Sequence, residues 1–452
     1  MKKIKTFEHK KVLVLGLARS GFAAAKLLHE LGAIVTVNDG KPFDENKEAQ
    51  ELLKMGIKVI CGSHPLDLLD EDFAMMVKNP GIPYENPMVA KAIAQNIPVY
   101  TEVELAYLVS ESPIIGITGT NGKTTITTEI FEMFNADKKS ARLAGNIGFP
   151  ASEVIFDAKA DDTLVMELSS FQLMGIEKFR PHIAILANLF SAHLDYHGSQ
   201  EAYEAAKWNL QNNMTSEDFL ILNFNQEKIR KLSNLTKATV VPFATDEKVD
   251  GAYSLDGKIY FKDEYIMDVA ELSLPGAHNV ENALAALTAA KLSGISNVAI
   301  KQVLTTFSGV KHRLQYLGEL SNRKIYNDSK ATNVLATQKA LSGFDKSKTW
   351  ILLGGLNRGN DLTELSADLT GIKGMIVMGE TAVKFDQLGK SLNIPTFTAN
   401  KVDDGLKIAF EQSDEGDNIL LSPASASWDQ YKTFEERGDL FIKAFDEIKE
   451  KI

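Results

Sequence analysis

The stretch Pro113-Ile-Ile-Gly-Ile-Thr118, followed by Gly119-Thr-Asn-Gly-Lys-Thr-Thr125, constrains this chain more than any other. An apolar, β-branched run ending in a glycine turn reads as a buried strand, and the residues after the turn read as a helix start. A strand that hands a Gly-Lys-Thr turn to a helix belongs in a parallel sheet covered by helices on both faces. The backbone N–H groups of Gly119, Thr120, Asn121, Gly122 and Lys123 are then placed to cradle phosphate oxygens. Lys123 would neutralise β/γ-phosphate charge, and Thr124, followed by Thr125, would offer its hydroxyl to Mg²⁺. The strict phosphate-loop pattern wants glycine at position 117, where this chain has Ile117, so the loop is a variant.

A bound metal needs a second anchor. The run Asp162 to Leu168 reads as a strand with Glu167 near its carboxyl end, where ligands gather in an open α/β sheet. Glu167 is placed to hold Mg²⁺ directly or through water, the alternative being a capping or surface glutamate. His193-Leu-Asp-Tyr-His197 sets two histidines four residues apart, but the zinc-protease pattern needs Glu where Leu194 stands. One of them remains open as a hard-metal or phosphate contact, and His197 reads as an ordinary helix-start residue. Lys207, in Glu204-Ala-Ala-Lys-Trp208, falls on a helix, and composition alone makes it a solvated lysine.

With 452 residues, and ~150 residues per domain, the chain has room for roughly three domains. The first block has strands at Lys11–Gly16, Ala33–Asp39, Phe73–Lys78 and Ile97–Tyr100, and a helix at Gly21–Leu31. Its turn, Gly16-Leu-Ala18-Arg19-Ser-Gly21, resembles the dinucleotide fingerprint with Ala18 in place of the middle glycine, and Asp39 stands near the ribose-binding offset. A redox dinucleotide, another nucleotide-linked ligand and a plain βα turn all remain open, although the Ala18 methyl hinders close approach to a pyrophosphate. The second block adds strands at His182–Ala187 and Phe219–Asn223, a β-hairpin over Ala252–Met267 turning at Asp256-Gly257, and a helix over Asn279–Leu292 stopping near Gly294. The third has strands at Thr349–Leu353, Gly374–Met378 and Asn418–Leu421 and a closing amphipathic helix, Phe434–Lys449. The expected boundaries give domains 1–102, 103–309 and 310–452.

Acidic residues outnumber basic ones 60 to 49, a formal charge of −11, which argues against a broad nucleic-acid footprint or a basic membrane-binding face. A single cysteine, Cys61, rules out an intrachain disulfide framework and a multi-thiolate zinc site. No apolar run approaches the ~18 residues of a membrane span. The apolar stretch within Met1–Leu28 is broken by Arg19 and Lys26, so it reads as a first strand and turn rather than a signal peptide. The expectation is a cytoplasmic monomer without membrane insertion.

Taken together, these residues resemble a Mur ligase. Gly119–Thr124 matches that family's ATP loop, and Gly145-Asn-Ile-Gly148, Glu167-Leu-Ser-Ser-Phe-Gln172 and His312-Arg313 match further blocks. The loop alone does not separate a Mur ligase from folylpolyglutamate synthase. Asn327-Asp-Ser-Lys-Ala-Thr-Asn333 and Leu421-Ser-Pro-Ala-Ser-Ala-Ser-Trp-Asp-Gln430 do, and they point to the branch that adds D-glutamate to UDP-N-acetylmuramoyl-L-alanine. The resemblance implies an α/β protein of three domains: an N-terminal Rossmann-like domain for the UDP substrate, a central ATPase-type parallel sheet, and a C-terminal Rossmann-like domain for the amino acid. It implies an ATP-dependent ligase of peptidoglycan precursor synthesis working through an acyl phosphate and a tetrahedral intermediate.

The resemblance also implies roles. Lys123, Glu167, His193, Lys207 and Arg313 would be catalytic. Thr124, Glu167, His193 and a carbamylated Lys207 would hold two Mg²⁺ ions. The loop residues with Asn279, Asn282, Arg313 and Asp328 would surround ATP. Ala18, Arg19, Asp39, Gly81, Asn146 and Gln172 would meet the UDP substrate, and Lys330, Thr332, Arg358, Ser427 and Phe434 the D-glutamate. Arg358 stands where the family often has Lys. Parts from all three blocks must meet at one phosphate, so closure is expected. A sibling ligase, a nicotinamide oxidoreductase and a non-catalytic nucleotide switch stay open as alternatives.

Overall fold

Apolar runs that cannot remain in water become the strands of three sheets. In this computed structural model residues 1–2, 4–274, 276–359 and 361–452 are described. The chain divides into two units, Met1–Phe307 and Ser308–Ile452.

The first unit carries two sheets. One is fully parallel: β1 (Lys11–Leu15), β2 (Ile34–Asp39), β3 (Lys58–Cys61), β4 (Met75–Lys78) and β5 (Val99–Tyr100), in the order β3-β2-β1-β4-β5. Side chains alternate across it as a period of two requires. Val12 and Val14 pack under Ala24, Leu27 and Leu28 of the helix Arg19–Glu30. Leu13 and Leu15 face Met76 and Val89 on the other side. Strand order reverses between β1 and β4, the switch point at which such sheets open a ligand crevice.

The second sheet contains β6 (Ile114–Thr118), β7 (Ala141–Gly145), β8 (Thr163–Glu167), β9 (Ile183–Leu186), β10 (Phe219–Asn223), β11 (Thr239–Thr245), β12 (Ala252–Leu255), β13 (Lys258–Phe261) and β14 (Glu264–Asp268). Their order is β14-β13-β12-β11-β10-β9-β6-β8-β7. It is parallel from β7 to β12, and β13 and β14 extend it antiparallel. The expected hairpin turn at Asp256-Gly257 is present. The run to Met267 forms three strands rather than two, because Lys262 adopts a left-handed φ of 55° and turns the chain again.

The second unit holds β15 (Gln315–Leu320), β16 (Arg323–Asn327), β17 (Thr349–Gly354), β18 (Gly374–Met378), β19 (Thr396–Thr398) and β20 (Asn418–Leu421), ordered β15-β16-β20-β17-β18-β19. All neighbours are parallel except the edge pair β15–β16. Leu352, Ile419 and Leu421 face one core, and Leu353, Val377 and Leu420 the other. The last helix, Phe434–Lys449, starts where the Thr433 side chain accepts from the Glu436 N–H, with Glu435 and Glu436 in its first turn. The mixed α/β architecture with three sheets is the one expected. Among the described residues no helix is long and apolar enough to cross a membrane.

Candidate active site

Every residue of β6 is buried, so the strand delivers its carboxyl end to a fixed place. The following turn closes at Gly122, whose φ of +79° is left-handed and which caps the helix Lys123–Ala136. A Cβ at Gly122 would lie 2.2 Å from the Asn282 side-chain oxygen, so both conformation and space demand glycine. The segment after β9 braces the loop: the Asn121 N–H donates to Asn188 Oδ1 at 2.8 Å, and Asn188 Nδ2 donates back to the Asn121 carbonyl at 3.1 Å. The Tyr203 hydroxyl donates to Thr120 Oγ1 at 3.1 Å. Thr124 is buried at the helix start. Asn282, whose amide donates to Asn279 Oδ1 at 3.2 Å, stands over the turn. This joins two expected ATP contacts to the loop.

Two lysines converge on one carbonyl. Lys123 Nζ donates to Gly119 O at 2.9 Å and to Thr120 O at 2.9 Å, and Lys207 Nζ donates to the same Gly119 O at 2.8 Å. Lys207 is on the expected helix, Gln200–Trp208, but is only 2 % exposed, so it is not a solvated lysine. The helix turns it inward, where its Nζ lies 4.7 Å from the Tyr203 ring centroid. Burial, and then the Lys123 charge, push its pKa down to about 6, with Glu167 pulling the other way. Its amine is therefore unprotonated at neutral pH.

Glu167 ends β8 and is 3 % exposed. Its Oε1 accepts from Asn146 Nδ2 at 2.8 Å, whereas its buried Oε2 has no hydrogen-bond partner among the described residues. A buried carboxylate oxygen left without a donor fits a cation. His193 precedes the single-turn helix Leu194–His197 with a left-handed φ of 55°, its ring 5.1 Å from that of Phe171. His197 ends that helix rather than starting one, and its Nε2 lies 2.9 Å from Ser170 Oγ. Among the described residues no three His, Cys, Asp or Glu side chains gather around one point, so a cation here needs ligands from elsewhere.

A cleft of about 390 Å³ brings together five of the six residues expected at the UDP substrate: Ala18, Arg19, Gly81, Asn146 and Gln172. Asp39 is not among its lining residues. Its carboxylate accepts from the Leu17 N–H at 2.7 Å and the Lys41 N–H at 2.8 Å, and so fixes the Gly16 turn. A larger cavity of about 500 Å³ lies at the amino ends of β6, β8 and β9 and contains none of the expected residues.

In the second unit, Thr332 and Arg358 line one small pocket with Thr381 and Ser425. The Arg358 guanidinium lies 4.5 Å from the Trp428 ring centroid. The buried Ser427 hydroxyl has no partner among the described residues. Lys330 Nζ lies 5.8 Å from the Phe434 ring centroid. Asp328 accepts from the Leu314 N–H at 3.1 Å and the Ser422 hydroxyl at 3.0 Å, and burial raises its carboxyl to about 6. Arg313, at the start of this unit, donates its N–H to Val310 O at 2.9 Å.

Family models match most of the chain: the Mur ligase MurD-like N-terminal domain at residues 10–101, the Mur ligase middle domain at 117–290, and the Mur ligase glutamate ligase domain at 312–425. The chain belongs to the Mur ligase family. It is 71% identical over 449 residues to UDP-N-acetylmuramoylalanine--D-glutamate ligase of Lactococcus lactis subsp. lactis (strain IL1403), covering 99% of this chain and 100% of that protein. The protein of the same name from Streptococcus suis (strain 98HAH33) is 60% identical over the same length and coverage. Among solved structures, the UDP-N-acetylmuramate-alanine ligase MurC of Thermotoga maritima matches with a TM-score of 0.53 at 19% identity, over 97% of this chain and 100% of that one. The MurF ligase of Thermotoga maritima in complex with ADP matches with a TM-score of 0.51 at 14% identity, over 99% and 97%. These two share its fold.

Sequence reasoning passed over several supports that this Mur ligase uses. Asn188 and Tyr203 hold the phosphate loop but belong to no motif. Asn223, buried at the end of β10, donates to Ala187 O at 2.9 Å and Glu281 Oε2 at 2.8 Å, tying the Asn282 helix to the strand ends. Arg437 is 1 % exposed and donates to Ser329 O, Gly354 O and Ser425 O at 2.9, 3.3 and 3.2 Å. Its only sequence signal is a cation on the inner side of an amphipathic helix.

Proposed function

We propose that this Mur ligase joins the amino group of D-glutamate to the carboxylate of UDP-N-acetylmuramoyl-L-alanine and cleaves ATP to ADP and phosphate, a step of peptidoglycan precursor synthesis. The observation that carries the substrate assignment is the 71% identity, end to end, with a ligase of that name. A carboxylate oxygen of the acceptor attacks the γ-phosphorus and ADP departs. The D-glutamate amine then adds to the acyl phosphate carbon, and the tetrahedral intermediate expels phosphate, leaving an amide.

Residues 103–309 serve ATP, 1–102 the acceptor and 310–452 the amino acid. The loop amides and Lys123 hold the phosphates, with Asn279, Asn282, Arg313 and Asp328 as further ATP contacts. Ala18, Arg19, Gly81, Asn146 and Gln172 hold the acceptor. Lys330, Thr332, Arg358, Ser427 and Phe434 hold D-glutamate, the cations facing its carboxylates. Thr124 and Glu167 suit one Mg²⁺, and His193 with Lys207 a second. When bound, these ions neutralise charge on the transferring phosphoryl group.

Lys207 serves as a Mg²⁺ ligand as a carbamate, whose oxygens suit a hard cation better than an amine nitrogen does. Its neutral Nζ adds to the carbon of CO₂ and loses one proton, turning a potential cation into an anion. The low pKa and the burial beside Glu167 support this. The protein works as a monomer in the cytoplasm, which sedimentation and cell fractionation check.

The test is a panel in which ATP, MgCl₂ and UDP-N-acetylmuramoyl-L-alanine are mixed with D-glutamate, L-glutamate, L-alanine or a diamino acid. Phosphate release and product mass are expected with D-glutamate alone. Turnover that ignores D-glutamate, or prefers another amino acid, would refute the assignment.

A further inference from the structure

The wall of the acceptor cleft formed by Asn79, Pro80 and Gly81 rests on groups that the proposed reaction does not use. Lys78, the last residue of β4, is 1 % exposed. Its Nζ donates to Ile82 O at 2.8 Å and Pro80 O at 3.3 Å, and lies 3.4 Å from the Tyr196 hydroxyl. It also sits 4.6 Å from the Tyr84 ring centroid. The Tyr196 hydroxyl is 3.1 Å from Pro80 O and 3.0 Å from Ile82 O and donates into that pair. Tyr84 donates its own hydroxyl to Met174 O at 3.0 Å.

These contacts fasten one short loop to two distant segments. Tyr84 ties it to the chain just after the helix Ser170–Leu173, which carries Phe171 and Gln172. Tyr196 ties it to the turn that begins after His193. Phe171 fills the space between, 4.5 Å from the Tyr196 ring, 5.1 Å from His193 and 5.4 Å from His197. Burial lowers Lys78 to about 8, with Glu85 raising it somewhat, so at pH 7 it is charged. A buried ammonium whose hydrogen bonds go to carbonyl and phenol oxygens is costly, and an apolar residue at a strand end would avoid the cost.

We infer that Lys78 and Tyr196 are positioning residues for the acceptor, locking the Asn79–Ile82 wall of the cleft onto the segments that carry Gln172 and His193. Neither touches the reacting atoms. The inference rests on the acceptor reading of the cleft. Its signature is selective: acceptor binding depends on the strut, and ATP binding at the loop after β6 does not.

The experiment compares wild type, Lys78→Met, Tyr196→Phe and the double variant. Tyr196→Phe keeps the ring against Phe171 and removes the hydroxyl alone, so it decides the matter if Lys78→Met does not fold. Binding of UDP-N-acetylmuramoyl-L-alanine is measured by calorimetry without ATP or metal, followed by KM for acceptor and ATP, kcat and thermal midpoints. Each single variant is expected to weaken acceptor Kd and KM about tenfold, to leave ATP KM within about twofold, and to be non-additive in the double variant. A folded Tyr196→Phe with wild-type acceptor Kd overturns the inference, as does an equal loss for acceptor and ATP. A wild type that binds no acceptor overturns the acceptor reading itself.

Discussion

Lys207→Met should stabilise this protein while abolishing its turnover. In the folded chain the Lys207 amine holds a proton only below about pH 6, against an ordinary value of 10.5 in the unfolded chain. The unfolded state therefore binds more protons between those values, and stability rises with pH across that window. At pH 7 the strain set by this one group is about 5 kcal/mol against the fold, and by pH 10 it has fallen to about 1 kcal/mol. The variant loses the hydrogen bond to Gly119 O, worth about 1 kcal/mol. Lys207→Met is then expected to be about 4 kcal/mol more stable at pH 7 and near parity at pH 10. Urea unfolding of both proteins at pH 7, 8.5 and 10, in metal-free and CO₂-depleted buffer, reads the gap, and phosphate release reads the turnover. A gap that does not shrink with pH, or a variant no more stable at pH 7, refutes the account of Lys207 as an unprotonated buried amine. A fully active Lys207→Met removes the carbamate.

Gly122→Ala forces a left-handed conformation costing about 1–2 kcal/mol and displaces the Asn282 amide for a further ~1 kcal/mol. It should lower the thermal midpoint and raise KM for ATP at least tenfold with acceptor binding intact, and calorimetry with each ligand separates the two effects. Arg437→Met strips the donors from the carbonyls of Ser329, Gly354 and Ser425. Leaving these buried acceptors unpaired costs about 1–3 kcal/mol, measured as a fall in the unfolding transition of the second unit. An unchanged transition would show that the buried guanidinium is not the support described.

Where an apolar run or an amphipathic period is strong, pattern and structure coincide. Phe219–Asn223, Gly374–Met378, Asn418–Leu421 and the helix Phe434–Lys449 occupy the residues expected of them. Three outermost strands were not legible: β3 reads Lys-Val-Ile-Cys, β7 reads Ala-Arg-Leu-Ala-Gly and β15 is interrupted by Gly318. At a sheet edge packing selects weakly for apolar side chains. The phosphate loop was legible because glycine at 122 answers to backbone geometry, a local demand. Lys207 was not, because its burial comes from the approach of Tyr203 and Gly119, and Gly119 is far away in sequence. The family likeness drew attention to Lys207, and the geometry explains its chemistry.

All three sheets apply the same topological rule. Each delivers its candidate residues from the carboxyl ends of parallel strands: Ala18 and Gly81 after β1 and β4, the phosphate loop after β6, Glu167 at the end of β8, Asp328 after β16, Arg358 after β17 and Ser427 after β20. At those ends the chain must turn, and the turns expose N–H groups that no strand or helix satisfies. That resolves the conflict between a formal charge of −11 and ligands that are themselves anionic. The surface as a whole does not attract them. Backbone amides at strand ends and helix starts, with the few cations placed beside them, would supply a local positive field that the net charge does not reveal. At the same loop, burial and then the Lys123 charge disfavour the ammonium form of Lys207, so the neighbourhood that gathers cations there also favours the free amine.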